Sequence, residues 1–429
     1  MSLRISNGRV FYDGSLRDVD ILVDDGEIAQ IDTDVEADDE IDADGGLVLP
    51  GAIDVHVHFR EPGATHKEDW HTGSRSAAAG GVTTVVDQPN TSPPTVDADA
   101  FEQKRRLADE KSVIDFGINA GVTTDWKPDE LLDLPVTAFG EIFMADSTGK
   151  LGIPRDLFAE AVGIISENRK LSTIHAEDSS LFVEIDDYDE DNADAWSVHR
   201  PPEAEVSAVE DALGIADGID DARLHFAHTS HPDSVEAVSS TSHTCEVTPH
   251  HLFLSRDDLD QLGTFGRMNP PLRTEEARQT LWDMTDTFDL IASDHAPHTV
   301  DEKNAPITQA PSGVPGVETL LPLVLGAVVE DKLSLSRAVE LTSTNPAEVF
   351  GFDTKGGIEV GNDADLVVTD METEEIRAEK LHSKADWTPY EEMTGVFPDL
   401  VLCRGEVVYD AEKESFGEAG HGRLVSSRL

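Results

Sequence analysis

Cysteine is nearly missing: Cys245 and Cys403 are the only two in 429 residues. Two thiols support neither a disulfide framework nor a thiolate metal cluster. Positive charge is scarce as well, with 32 Lys and Arg against 87 Asp and Glu, a formal net charge of −55. That balance excludes a nucleic-acid binder working through phosphate neutralisation and argues against docking on anionic membranes. Long hydrophobic runs are absent too. The longest uncharged apolar stretch, between Glu318 and Glu330, is too short to span a bilayer. The first residues, Met-Ser-Leu-Arg-Ile-Ser-Asn-Gly, lack the apolar core of a signal peptide. The expectation is a soluble, cytoplasmic protein.

What is present argues for a folded chain. Hydrophobic residues make up 38%, and 32 glycines punctuate apolar runs, which is enough for a core and against low-hydrophobicity disorder. The acids are spread along nearly the whole chain instead of forming one tail. Such a surface repels itself at low salt and needs screening to stay compact. In this it resembles the proteins of salt-in halophiles. The acidic loop at 184–194 reads as part of that solvated surface, because it lacks the glycine and ligand spacing of a calcium loop.

The opening residues read as short strands joined by tight turns at Asp13-Gly14 and Asp25-Gly26. From about Leu47 the pattern changes. Apolar β-type runs at 47–58, 82–86, 113–119, 137–143, 171–176, 223–228 and 290–293 alternate with stretches of helical period such as 158–168 and 206–215. Near-continuous apolar strands alternating with helices indicate a parallel sheet with crossover connections. Over some 300 residues that suits a (β/α)8 TIM barrel better than an open sheet. Strand-like sequence returns at 364–369 and 400–409. The expected fold is therefore α/β: a barrel over 49–350, with a small discontinuous β domain formed by 1–48 and 351–429.

The sharpest motif is Asp54-Val55-His56-Val57-His58-Phe59-Arg60-Glu61-Pro62-Gly63. Residues i and i+2 of a strand point the same way, so His56 and His58 share a face. They stand at the end of an apolar run, the C-terminal end of a strand, where barrel enzymes keep their active sites. Two imidazoles on one face suit a borderline metal such as zinc. Three later runs end similarly: Thr173-Ile174-His175-Ala176-Glu177, Phe226-Ala227-His228-Thr229-Ser230, and Ala292-Ser293-Asp294-His295-Ala296-Pro297-His298. Each alone is commonly structural; all of them on one rim of one barrel point to a metal centre. Arg60, two residues beyond His58, faces the same way and can clamp a carboxylate with two hydrogen bonds.

These segments, together with Gln88-Pro89-Asn90, Glu246 to His251, Asn269-Pro270-Pro271-Leu272-Arg273 and Gly316-Val317-Glu318-Thr319, resemble the amidohydrolase superfamily and, within it, the dihydroorotase family. The resemblance covers the barrel and, more weakly, both β ends. It implies a metal-dependent cyclic amide hydrolase with two zinc ions per subunit. His56 and His58 would hold one ion, His175 and His228 the other, and Asp294 would complete the first. The family bridges its metals with a carboxylated lysine or an aspartate. Here Glu141, in Phe139-Gly140-Glu141-Ile142-Phe143-Met144, stands at the lysine position, and Asp146 is the rival bridge. A hydroxide between the metals would attack the ring carbonyl of dihydroorotate, with Asp294 as general base and then acid. The resemblance adds Asn90, Asn269, His298, Ser312 and Gly313 to Arg60 as substrate contacts. It implies a small-molecule substrate, and both a homo-oligomer and an association with a carbamoyltransferase are compatible with it. Allantoinases and hydantoinases share the fold and the paired histidines; Arg60 separates them, because allantoin and simple hydantoins carry no free carboxylate. A non-catalytic scaffold relative is the reading from another class. His225, His250 and His251 read as supporting or structural, and His66, His71, His199, His231, His243, His382 and His421 as solvated.

Overall fold

The computed structural model describes residues 2–33, 35–144, 151–184 and 192–428. Eight parallel strands form a barrel: β1 Ala52–Val57, β2 Val82–Asp87, β3 Asp115–Ile118, β4 Phe139–Phe143, β5 Ser172–His175, β6 Leu224–Phe226, β7 Thr244–Val247 and β8 Leu290–Ile291. Consecutive strands pair from β1 to β3 and from β4 to β8. A parallel bridge from Ala120 to Phe139 joins β3 to β4, and one from Val57 to His295 closes β8 onto β1. Every residue of seven strands is buried, and in β7 only Thr244 is half-exposed. Burial on both faces is what apolar runs without alternation encode.

The structure refines the sequence pattern at two points. The eight strands expected of the barrel are present, and apolar runs in the sequence mark seven of them; the one they miss is β7, four residues long with a threonine and a glutamate, too short and polar for its period to register. The run at 47–58 is also two elements. Leu47–Pro50 pairs with Leu366–Thr369 in an antiparallel ladder, outside the barrel, and β1 starts afresh at Ala52. Gly51 lies at the break, packed so closely on β2 that a Cβ there would sit 2.2 Å from Thr83 Oγ1.

The two ends of the chain share one sheet. Its order runs Ser415–Phe416, Glu406–Asp410, Leu400–Cys403, Leu366–Thr369, Leu47–Pro50, Arg9–Tyr12, Ser15–Arg17. A four-stranded sheet built on Leu3–Ser6 lies against it, around Ile5, Val10, Ile21, Val48, Leu366 and Leu402. The expected helical stretches are Arg155–Glu167 and Pro202–Ala216, each burying an apolar stripe against the barrel. Among the described residues, no helix is long and apolar enough to cross a membrane.

Candidate metal centre

The C-terminal rim of the barrel gathers the histidines. His56 lies in β1 and His58 one residue beyond it, His175 ends β5, His228 follows β6 by two residues, and Asp294 follows β8 by three. Glu141 reaches the same point because β4 carries a register shift between Phe139 and Ile142. That irregularity needs Gly140, at φ +136°, where a Cβ would lie 2.1 Å from the Thr173 carbonyl. Arg60, His228 and Asp294 also adopt left-handed backbone, at φ 61°, 33° and 46°. Strain of this kind in non-glycine residues collects at functional sites.

The ligand atoms converge. Glu141 Oε1 lies 2.9 Å from His175 Nδ1 and 2.7 Å from His228 Nε2, and its Oε2 lies 3.6 Å from His56 Nε2. Asp294 Oδ1 stands 3.0 Å from His58 Nε2 and 3.6 Å from His56 Nε2. Two groups, His56 with His58 and Glu141, and Glu141 with His175 and His228, each bring their donor atoms within 4.8 Å of one another. Glu141 belongs to both. Asp146 lies outside the described residues.

Outer partners fix which ring nitrogen faces inward. His56 Nδ1 donates to Glu246 Oε1 at 2.6 Å and His58 Nδ1 to Asn90 Oδ1 at 2.7 Å, so both present Nε2. His175 Nε2 donates to Glu177 Oε2 at 2.7 Å and so presents Nδ1. Glu246 also takes His225 Nε2 at 3.0 Å and the His228 backbone N–H at 3.0 Å, and Glu177 is held by Arg200. Such carboxylate–histidine pairs orient metal ligands and raise their basicity.

This donor set fits a divalent cation. Four imidazoles and two carboxylates turn lone pairs on common points, and His56 Nε2 is buried without a hydrogen-bond partner between Glu141 and Asp294. The electrostatics agree. Burial opposes charge on the His175 imidazole, but Glu141 and Glu177 outweigh it and raise its pKa to about 9. Burial likewise opposes ionisation of Glu141, yet the hydrogen bonds of His175 and His228, with the His56 imidazole close by, hold it well below the ordinary range. The pocket is a concentration of negative charge seeking positive charge.

Beside the donors lies a cavity of about 420 Å³ whose walls include Arg60, Asn90, Asn269, Asp294, Ser312 and Gly313. His298 stands at its edge. Lys67 Nζ donates to His298 Nδ1 at 3.0 Å, which leaves Nε2–H to donate to the Ser312 carbonyl at 2.9 Å. Burial, with Arg60, Lys67 and Lys303 nearby, keeps this imidazole neutral, well below its usual pKa. The same burial lowers Arg60 to about 10.

Some groups escaped the sequence reading. The sequence pattern alone assigns no task to Glu246 or Glu177; the signal it holds for them is an acidic residue inside an apolar strand-like run, or two positions beyond a candidate ligand. His382 and His421 are not simply solvated. His382 Nδ1 donates to Glu318 Oε1 at 2.7 Å, and His421 Nε2 to the Cys403 carbonyl at 3.0 Å. His250 is buried with neither ring nitrogen partnered, and burial lowers its pKa to about 4.

A barrel whose strand ends carry four histidines, a shared glutamate and a terminal aspartate defines a class, the metal-dependent hydrolases of the amidohydrolase family. The profile of that family matches residues 47–408, and the chain belongs to it. Its place within the family is among the dihydroorotases. It is 50% identical over 418 residues to a dihydroorotase of Halobacterium salinarum, covering 96% of this chain and 98% of that one. It is 49% identical over 445 residues to a dihydroorotase of Methanosarcina acetivorans, covering 99% and 95%. Among solved structures it is similar to an L-hydantoinase (dihydropyrimidinase) from Arthrobacter aurescens, with a TM-score of 0.93 and 30% identity over 99% of both chains.

Proposed function

We propose that the chain catalyses the reversible cyclisation of N-carbamoyl-L-aspartate to L-dihydroorotate, a step of pyrimidine synthesis. The observation that carries this reading is the guanidinium of Arg60 in one cavity with the His, Glu and Asp donors. A carboxylate clamp beside the reacting centre suits a ring that bears a carboxylate and has no use on a simple hydantoin. In this reading His56, His58 and Asp294 would hold one zinc ion and His175 and His228 the second, with the Glu141 carboxylate within reach of both sets of donors. Zinc, when bound, supplies a Lewis acid for the ring carbonyl and a water acidic enough to ionise near neutral pH.

The remaining steps belong to the chain. Arg60 binds the substrate carboxylate through two parallel N–H donors, with Asn90, Asn269, His298 and the Ser312-Gly313 backbone fixing the ring. In the opening direction a water oxygen bonds to the ring carbonyl carbon, and its proton passes to a carboxylate oxygen of Asp294. The carbon–nitrogen bond then breaks, and Asp294 returns the proton to the departing nitrogen. Closure retraces these steps. The reading takes 49–350 as the catalytic unit, with 1–48 and 351–429 as its β domain. It places the protein in the cytoplasm, and sizing with and without a carbamoyltransferase would decide its assembly.

The test is turnover by the purified protein, in multimolar KCl with zinc, of N-carbamoyl-L-aspartate beside allantoin and a hydantoin. Conversion of the carbamoyl-aspartate alone is expected. Turnover of either neutral ring instead would overturn the clamp argument, and a protein that purified without stoichiometric metal and turned over nothing would be a scaffold.

A further inference from the structure

Beyond the reacting cavity lies a larger hollow of about 1060 Å³, and the two share Asn269 and Ser312 as a common wall. Its described lining carries Arg200, Arg267 and His199 and no Asp or Glu. That is a local reversal in a chain with 87 acids and a net charge of −55. The two arginines differ. Arg200 is answered beneath the surface by Glu177, with Nε 3.0 Å from Oε1. Arg267 lies with its guanidinium carbon 3.6 Å from the Trp196 ring centre, donates through Nε to Ser312 Oγ at 3.1 Å, and reaches the Ile307 carbonyl through Nη1. Among the described residues it has no carboxylate partner.

Lys303 behind it is in the same condition. Its buried ammonium donates to the carbonyls of Arg267 at 2.9 Å, Pro311 at 3.0 Å and Gly313 at 3.1 Å, all neutral. Two cations with neutral partners thus bracket the 307–313 loop that supplies Ser312 and Gly313. Burial, with Arg200 close by, lowers the Arg267 pKa to about 10. Leaving a partly buried charge unpaired is costly. An anionic guest removes that cost. In concentrated salt the screening length shrinks to about 3 Å, so a direct contact, and no long-range field, has to select an anion there.

We infer that Arg267, stacked on Trp196, forms an outer subsite that captures a carboxylate of a dicarboxylate substrate before it passes between Asn269 and Ser312 to Arg60. The inference rests on the function proposed above and deepens it.

Two measurements test it. With N-carbamoyl-L-aspartate, Arg267→Gln is expected to lower kcat/KM about tenfold, the worth of one hydrogen bond to a charged group, while kcat falls much less. Arg267→Lys should recover most of the loss, since it keeps the charge and gives up the planar fork. Equal losses in kcat and kcat/KM, or a lysine variant no better than glutamine, would mean that Arg267 only braces the Ser312 loop and would overturn the inference. The second measurement needs no turnover: calorimetric titration with succinate, an unreactive dicarboxylate, of Arg60→Gln and of Arg60→Gln with Arg267→Gln. Binding that survives the first change and is lost with the second supports the subsite; binding lost already with the first, or unaltered by the second, overturns it. Should the wild type fail to cyclise N-carbamoyl-L-aspartate, the proposed function falls, and the succinate titration still decides Arg267.

Discussion

The two ends of the barrel both bury carboxylates, and they satisfy them in opposite ways. At the C-terminal rim, Glu141, Asp294 and Glu246 meet imidazoles, groups that gain or lose a proton near neutral pH and bind metals. At the N-terminal end, Asp115 opens β3 and, with Asp365 and Cys403, also brings three donor atoms within 4.8 Å. By geometry alone it is as good a metal triad. There, however, Lys355 Nζ sits 2.5 Å from Asp115, 2.8 Å from Asp365 and 3.0 Å from Asp363. Arg404 caps the other oxygen of Asp115, and the Arg423 N–H adds a bond at 2.8 Å. Burial also drives the Cys403 thiol well above its ordinary pKa, away from the thiolate a metal needs. The same donor spacing is thus a binding site at one end and a clasp between barrel and β domain at the other. Whether the protein has already supplied a permanent cation makes the difference.

The largest expected effect breaks the rim. Glu141→Gln removes the carboxylate common to both donor groups, and metal affinity should fall by more than the roughly 100-fold seen when an outer partner is lost, with turnover falling alongside. Metal analysis and activity on the same preparation check it; full metal and activity would return the bridge to Asp146. Next, Asp294→Ala should cost on the order of 10³-fold in turnover, the usual scale of a proton-transfer group, with most of the metal retained, so that loss of both together would make it chiefly a ligand. At the opposite end, Lys355→Met leaves Asp363 and Asp365 without their cation and Asp115 with Arg404 alone, and should cost about 3–5 kcal/mol of stability, measured by denaturant unfolding, while the metal content of the folded fraction stays unchanged. If that variant lost metal at the rim, the two ends would not be independent.

The smallest effect belongs to a half-exposed pair that serves neither purpose. Arg278 holds Glu275 at a pKa of about 2, against an ordinary 4.5. A carboxylate lowered by folding contributes stability that is complete above its unfolded value and disappears as pH falls toward 2. Solvent screens this pair, so Arg278→Gln should remove only about 0.5 kcal/mol near neutral pH, and acid titrations of the two proteins should converge as pH falls through about 2. A loss several times larger would place that helix among the tightly coupled charges of the barrel ends.

Much of the rim was legible in the chain because strand geometry is local. The two-residue alternation placed His56 and His58 on one face, and apolar runs ending in His175, His228 and Asp294 marked strand ends on one side of a parallel sheet. Composition and period also carried the barrel class and the pairing of the two termini. Other features were out of reach for equally local reasons. β7 is too short and too polar to show a period, and the apolar run at 47–58 divides because Leu47–Pro50 pairs with Leu366–Thr369, a partner more than 300 residues away that no neighbour in sequence announces.

By itself, then, the sequence determined the repeat of strand and helix, the burial of the strands, the ends at which the histidines stand and the surplus of acid over the whole surface. Each follows from side-chain period and composition within a few residues. Only the closed barrel decided that Glu246 orients His56 from 190 residues away, that Asp294 faces His58 across 236, and that Lys355 disarms the triad at Asp115. Those pairings depend on where distant strand ends arrive once the ring is shut, and in a low-dielectric interior the nearest opposite charge, however far along the chain, settles what a buried carboxylate becomes.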